Sequence, residues 1–442
     1  MNAVVQHAFE AAVADELERQ MRYRRAWEAY HGQSPGLLKV REGDHDDNVR
    51  VNFARALVDK GVSFLFGKEL SFEIDQTQET PAERWLDACW RANRKALLLQ
   101  KLALNGAVCG HAWLKLTQPP MLAYPRLIVI DPANVAVGLA IDDIERVDWY
   151  RIQYTAIDPR RGELVVLRQW IVRSDSGVGW DVIDEESRGG GSWQETGRVL
   201  WAYDWPPLID CQNLPLPNEY FGVGDLEDDV LELCRAMDFV LSNTMRIIRF
   251  HAHPKTWARG IETDRVKVTA DELIILESDT AELHNLEMES DLASSLALYE
   301  RLREALHDIS RVPEIASGRL DRVGHLSGLA LQLLYQPLLE KTQAKRNTYG
   351  EMLVELNRRL LELGGWGSDM ITELHWPELL PEDTREMREV ALMDDQLGVS
   401  RDTLLRRLGY DPELEQRKRG AQEAELGEQL LAQLERGEGE VA

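Results

Sequence analysis

Five stretches of this chain carry residue types that could do chemistry. GDHDDN at 43–48 crowds carboxylates as a calcium loop does, and His251 and His253 could begin a metal site. FGVGDLEDD at 221–229 and RGGGS at 188–192 are rich enough in glycine to suggest a phosphate cradle. The fifth, PEIASGRLDRVGHLSGLALQLLYQPLLEK at 313–341, sets Arg319, Arg322 and His325 among Pro313, Gly318, Gly324 and Gly328, in a chain of formal net charge −25.

The first four lack what their chemistry needs. GDHDDN is not followed at the required spacing by the bidentate Glu of a calcium loop. Two histidines at i, i+2 diverge on a helix and no third ligand is near in sequence, so they read as a helix-end cap. Neither glycine stretch is G-x-x-x-x-G-K-[ST] or a full G-x-G-x-x-G, and both read as turns. No G-x-S-x-G occurs, and nothing marks a general acid among the 76 Asp and Glu residues. The expectation is a protein that is not an enzyme, with no catalytic residue, no cofactor and no metal.

At 442 residues the chain is long enough for two or more domains, and 44% apolar residues is ordinary for a folded protein. No apolar run approaches the roughly 20 residues that span a bilayer. The first residues lack a basic stretch leading into an apolar one, so no secretory signal is expected. Cys89, Cys109, Cys211 and Cys234 lie far apart and read as reduced, mostly buried thiols. Strong acidity argues against a surface that grips DNA, since binding needs cations to displace counterions; it is compatible with a protein that lets DNA pass.

The elements that must position these stretches follow from periodicity. A helix runs from Val5 to about Tyr30. A second carries Phe53, Leu57 and Gly61 on one face and passes through Gly67 into a strand. A third is expected over ETPAERWLDACWRANRKALLLQKLALNGAV, with Thr80 as cap, Pro81 in the first turn and Gly106 closing it. From about Ala107 to Trp205 the pattern alternates and is rich in Val, Ile, Trp and Tyr, which predicts antiparallel hairpins. One long helix then ends at Pro254, and a small mixed segment over 255–290 holds strand-like VKV and LIILE. Helix returns with Leu292, Leu296, Tyr299, Leu302, Leu306 and Ile309 in one apolar stripe. A very long helix spans about Leu329 to Leu363, and the tail beyond Pro381 is helical and charged. The fold class is α+β. Long helices with narrow stripes need neighbours to cover them.

Four stretches, in order over most of the chain, resemble the portal proteins of tailed bacteriophages, of the siphophage-like kind. VNFARALVDKGVSFLFGKELSFE is similar to the family's N-terminal helix and Gly-Lys strand. WPPLIDCQNLPLPNEYFGVGDLEDDVLELCRAMDFVLSN is similar to its proline-marked strand and first long helix. ISRVPEI with GHLSGLALQLLYQPLLEKTQAKR resembles its Ser-Gly-x-Ala-Leu segment and basic helix, and HWPELLPEDTREMREVALMDDQLGVSRDTLLRRLG its C-terminal helices. RAMDFVLSN departs from the Asp-Ala-Leu-Asn run frequent at that place in the family.

The resemblance implies a portal fold. Residues 1–224 would form a wing of N-terminal helices and a β-rich insert, 225–254 and 291–312 stem helices, and 255–290 a small α/β clip. Residues 313–328 would form a tunnel loop, 329–380 a long wing helix and its return, and 381–442 a helical crown. It also implies a dodecameric ring in the virion at one capsid vertex, assembled in the host cytoplasm, through which double-stranded DNA is packaged and ejected. The implied partners are further copies of the chain, double-stranded DNA, the terminase large subunit, a head–tail adaptor, the major capsid protein and scaffold, with no membrane.

Ser317, Gly318, Arg319, Arg322, Gly324, His325 and Ser327 would then face the DNA. Glycine would let the backbone adapt, and the cations would touch phosphate briefly in an otherwise acidic, repelling channel. The alternative for these cations is pairing with carboxylates in the wall. Two other classes remain open at this point. A metal-dependent nuclease or nucleotidyl-transfer enzyme would need clustered carboxylates, and a helical scaffold or adaptor without a channel would differ in its assembled mass.

Overall fold

Caps fix the first helices. The computed structural model describes residues 3–42, 45–74, 80–174, 177–252, 255–259, 282–286, 292–314, 328–367, 369–380, 384–407, 412 and 415–419. Helix α1 (Ala3–Tyr30) is tied to α2 (Phe53–Phe66) by Asn52, whose Nδ2 donates to the Tyr30 carbonyl (2.8 Å) while its Oδ1 accepts from the Arg55 N–H (2.9 Å). Helix α3 (Pro81–Ala92) opens on a reciprocal pair: the Thr80 hydroxyl accepts from the Glu83 N–H, and the Glu83 carboxylate accepts from the Thr80 N–H.

The single helix expected over this stretch is two. Helix α4 (Lys95–Cys109) starts only after Arg94, whose φ of +54° lies outside the right-handed helical region. Asn93 sets the break. Its Nδ2 donates to the carbonyls of Cys89 and Pro125, both at 2.9 Å, and its Oδ1 accepts from the Leu127 N–H at 2.9 Å. A side chain bound to a neighbouring strand stops the helix, so the break has a tertiary cause. Gly106 does not close α4 either. It lies inside the helix, which ends at Gly110 (φ +80°). The role of Gly106 is room: a Cβ there would fall 1.9 Å from the Tyr349 hydroxyl.

The alternating region is antiparallel throughout, as expected, and forms two sheets. Strand β1 (Ser71–Glu73) precedes them. Strands β2 (His111–Thr117), β3 (Arg126–Ile130) and β9 (Leu208–Gln212) make a sheet in the order β3-β2-β9. Strands β4 (Val135–Leu139), β5 (Val147–Ile157), β6 (Leu164–Arg173), β7 (Trp180–Arg188) and β8 (Gln194–Trp201) form a five-stranded meander. A tryptophan-rich cluster joins them: Trp113, Ile171 and Trp180 are almost completely buried, with Tyr150 edge-on to Trp113.

Helix α5 (Asp228–Ala252) packs on α6 (Leu292–Ser310), and between them in sequence β10 (Lys255–Arg259) pairs antiparallel with β11 (Glu282–Leu286). The expected strands VKV and LIILE lie outside the described residues. Helix α7 (Gly328–Leu363) runs 36 residues through Pro337. Its Tyr349, Leu353, Leu356, Leu360 and Leu361 are sealed in a core with Leu102, Leu114 and Trp90. Each such aliphatic side chain contributes about 2 kcal/mol on burial. Strand β12 (Glu373–His375) returns to pair with β1.

The chain divides into two compact units, 1–324 with 334–377, and 325–333 with 378–442. In the second, α8 (Thr384–Gln396) ends at Gly398 (φ +87°), where the Val399 N–H donates back to the Asp394 carbonyl. Ser400 then accepts from the Thr403 N–H and opens α9 (Arg401–Arg407).

Candidate functional site

Ser317, Gly318, Arg319, Arg322, Gly324, His325 and Ser327 lie outside the described residues. The structure shows how the stretch that leads into their segment is held. Helix α6 stops at Arg311, a non-glycine residue at φ +60°. The next residue, Val312, is buried, and its carbonyl lies 2.7 Å from His307 Nδ1, so that nitrogen carries the proton. Glu314 is reached at 3.0 Å by the buried guanidinium of Arg303. On the far side, α7 reaches back. Lys341 Nζ donates to the Ser310 carbonyl at 3.0 Å, satisfying one of the acceptors left open at the end of α6.

Lys341 belongs to a buried ion cluster. It and Lys345 stand one turn apart on α7, with Lys341 Nζ 3.0 Å from Asp225 Oδ1 and Lys345 Nζ 2.6 Å from Asp225 Oδ2. The Asp225 N–H donates to the Ala107 carbonyl at 2.6 Å, and a Cβ on Gly61 of α2 would lie 3.1 Å from Asp225 Oδ2. Burial works to raise the Asp225 pKa, but the ammonium groups of Lys341 and Lys345 outweigh it and hold it at about 2. Burial lowers the pKa of Lys345.

Such a cluster is poor evidence for net stability, because the cost of desolvating three charges offsets much of their attraction. What it fixes is position. It joins α2, the end of α4, the turn before α5, the last carbonyl of α6 and α7 at one point. Sequence reasoning missed it. The available signal was a Lys341-x-x-x-Lys345 pair on one face of a helix that is otherwise apolar on that side.

The other candidate stretches have structural partners. Asp47 of GDHDDN accepts from Arg249 Nε (2.9 Å) and Nη2 (2.7 Å), so its carboxylate clamps α5. In FGVGD, a Cβ on Gly222 would lie 2.6 Å from the Gln212 Cβ, so glycine permits close backbone approach. Gly189 and Gly190 take positive φ in the β7–β8 turn. His251 lies in the last turn of α5, and His253 falls outside the described residues. Among the described residues, no three His, Cys, Asp or Glu side chains come together to hold a metal ion. No helix there is long and apolar enough to cross a membrane. The cysteines are free, and burial pushes the Cys89 and Cys234 thiols up to about 12.

The expected stripe on α6 is only partly internal. Leu306 is fully buried, while Leu296 and Ile309 are about half exposed (53% and 48%). On α5, Phe239, Met245 and Ile248 are exposed to a similar degree.

A sequence profile described as "Phage portal protein, SPP1 Gp6-like" matches residues 13–429. No curated protein matches the chain in sequence. Among solved structures, a chain described as "Neck of empty GTA particle computed with C6 symmetry" superposes with a TM-score of 0.50 at 13% identity, covering 81% of this chain and 90% of that one. At that identity the likeness speaks to the fold.

Proposed function

This chain belongs to the phage portal protein family of the SPP1 Gp6-like kind, and from that premise we propose that its copies close into a ring through which double-stranded DNA enters and leaves a capsid. The observation that carries the reading is the family match over 13–429, nearly the whole chain. The family is structural, and the role proposed for this chain is that of a conduit without catalytic activity.

In this reading α5 and α6 are the stem. Their half-exposed Phe239, Met245, Ile248, Leu296 and Ile309 are covered by neighbouring copies. Contacts of this head-to-tail kind close into rings, and closure leaves no free interface. The 255–290 segment is the clip that docks the packaging motor and later the head–tail adaptor. Residues 1–224 and 329–380 form the wing beside capsid protein and scaffold, and 381–442 the crown. About twelve copies at −25 each would give the ring close to −300 formal charges. A wall of that sign keeps DNA sliding, and Arg319, Arg322 and His325 offer brief phosphate contacts where the channel narrows.

The buried Asp225–Lys341–Lys345 cluster supports this division of labour, since it holds the end of α6 from which the DNA-facing loop departs. The test is packaging. Arg319→Glu with Arg322→Glu should leave rings assembled and change DNA passage or retention in a salt-dependent way. Unaltered packaging at every salt concentration would make the segment a connector, and loss of rings would place it in the subunit interface.

A further inference from the structure

Strand β3 is the open edge of its sheet. Strand β2 pairs with one side of it, and the other side borders a groove of about 590 Å³ whose far wall is α4. The register decides which backbone groups face the groove. The Leu116 N–H donates to the Pro207 carbonyl on the β9 side, so β2 turns Lys115 toward β3, where its partner is Ile128. Leu127 and Val129 therefore direct their N–H and C=O groups into the groove. Asn93 takes the Leu127 N–H. The Val129 N–H and C=O have no hydrogen-bond partner among the described residues.

The charge of the groove opposes that of the chain. Arg94, Lys101 and Arg126 line it, all exposed, and no Asp or Glu does. None of the three has an ion-pair partner among the described residues. Leu97 and Leu122, each about half exposed, add apolar rim on both sides. An unpaired strand edge, flanking cations and alternating apolar contacts together specify an occupant.

We propose that this groove binds an extended acidic peptide segment of a partner protein, added as a fourth strand against β3. The backbone of the segment pairs with the N–H and C=O of Val129 and with the C=O of Leu127. Its acidic side chains meet Arg94, Lys101 and Arg126, and its alternate side chains rest on Leu97 and Leu122. A single-stranded nucleic acid fits less well, because Tyr124 is the one aromatic side chain among the lining residues and makes no row of stacking faces. The inference stands on the groove itself and not on the portal reading.

The test uses the full-length protein and a labelled peptide alternating Glu and Val, with an alternating Lys and Val peptide and a short DNA duplex as comparisons. The Glu peptide should bind, and Lys101→Glu with Arg126→Glu should weaken it on the order of tenfold. Both residues are exposed, so an unchanged melting temperature verifies the fold. Hydrogen exchange read with the bound peptide should slow at the Val129 amide and stay unchanged at the Ile128 amide, which β2 already holds. Equal binding of the Lys peptide, indifference to the charge reversal, unchanged exchange at Val129, or binding of duplex in place of peptide would each overturn the proposal.

Discussion

Lys345 Nζ lies 2.6 Å from Asp225 Oδ2 with both side chains only 3% exposed, across 120 residues of sequence. The long helix after the 315–327 segment is thereby pinned to the turn before α5. Removing the carboxylate would leave two buried ammonium groups facing each other.

Asp225→Asn should therefore destabilise the protein by about 3–5 kcal/mol, the cost of leaving buried charge uncompensated. Lys345→Met should cost less, because Lys341 still pairs with Asp225. Denaturant unfolding of both variants gives the comparison, and equal small losses would show that the site is hydrated and the cluster loose.

The same carboxylate predicts a pH window. Its native pKa, held at about 2, lies below the ordinary value near 3.9, so its contribution is complete above the ordinary carboxylate range and is lost as pH falls from about 4 toward 2. That contribution is about 2 kcal/mol on the parent, and Asp225→Asn should lack it. Parallel stability curves for parent and variant across this window would contradict the assignment.

Gly106→Ala ordinarily favours a helix, yet here it should destabilise by about 1–3 kcal/mol, because the new Cβ would meet the Tyr349 hydroxyl. Adding Tyr349→Phe should recover part of the loss. A double-mutant cycle with no coupling between the two positions would show that α4 and α7 approach less closely than described.

The stem surface predicts a separation of folding from assembly. Replacing Phe239, Met245 and Ile248 by Ser should lower monomer stability by only about 1 kcal/mol each, since these side chains are half exposed. It should nevertheless lower the assembled mass seen by light scattering. Unchanged assembly would remove α5 from the proposed contact surface.

Local signals were the legible ones. Thr80, Pro81 and Glu83 announce the start of α3 because a capping box is written within four residues. The alternation of β5 to β8 predicts hairpins for the same reason. The break at Arg94 was not legible, because Asn93 ends the helix by bonding Pro125 and Leu127, more than thirty residues away. Gly106 looked like a terminator and is a packing position, a distinction made only by Tyr349 on a distant helix. Of the functional site, Arg319, Arg322 and His325 stood out by their charge contrast. Their anchorage did not, since Asp225 and Lys345 have no relation until the chain folds.

The most direct test of the account is electron microscopy of the purified full-length chain at micromolar concentration. The account predicts closed rings of about twelve copies around a central opening wide enough for the roughly 20 Å of a DNA duplex. A population of monomers, dimers or open filaments, with no closed ring at any concentration, would contradict it.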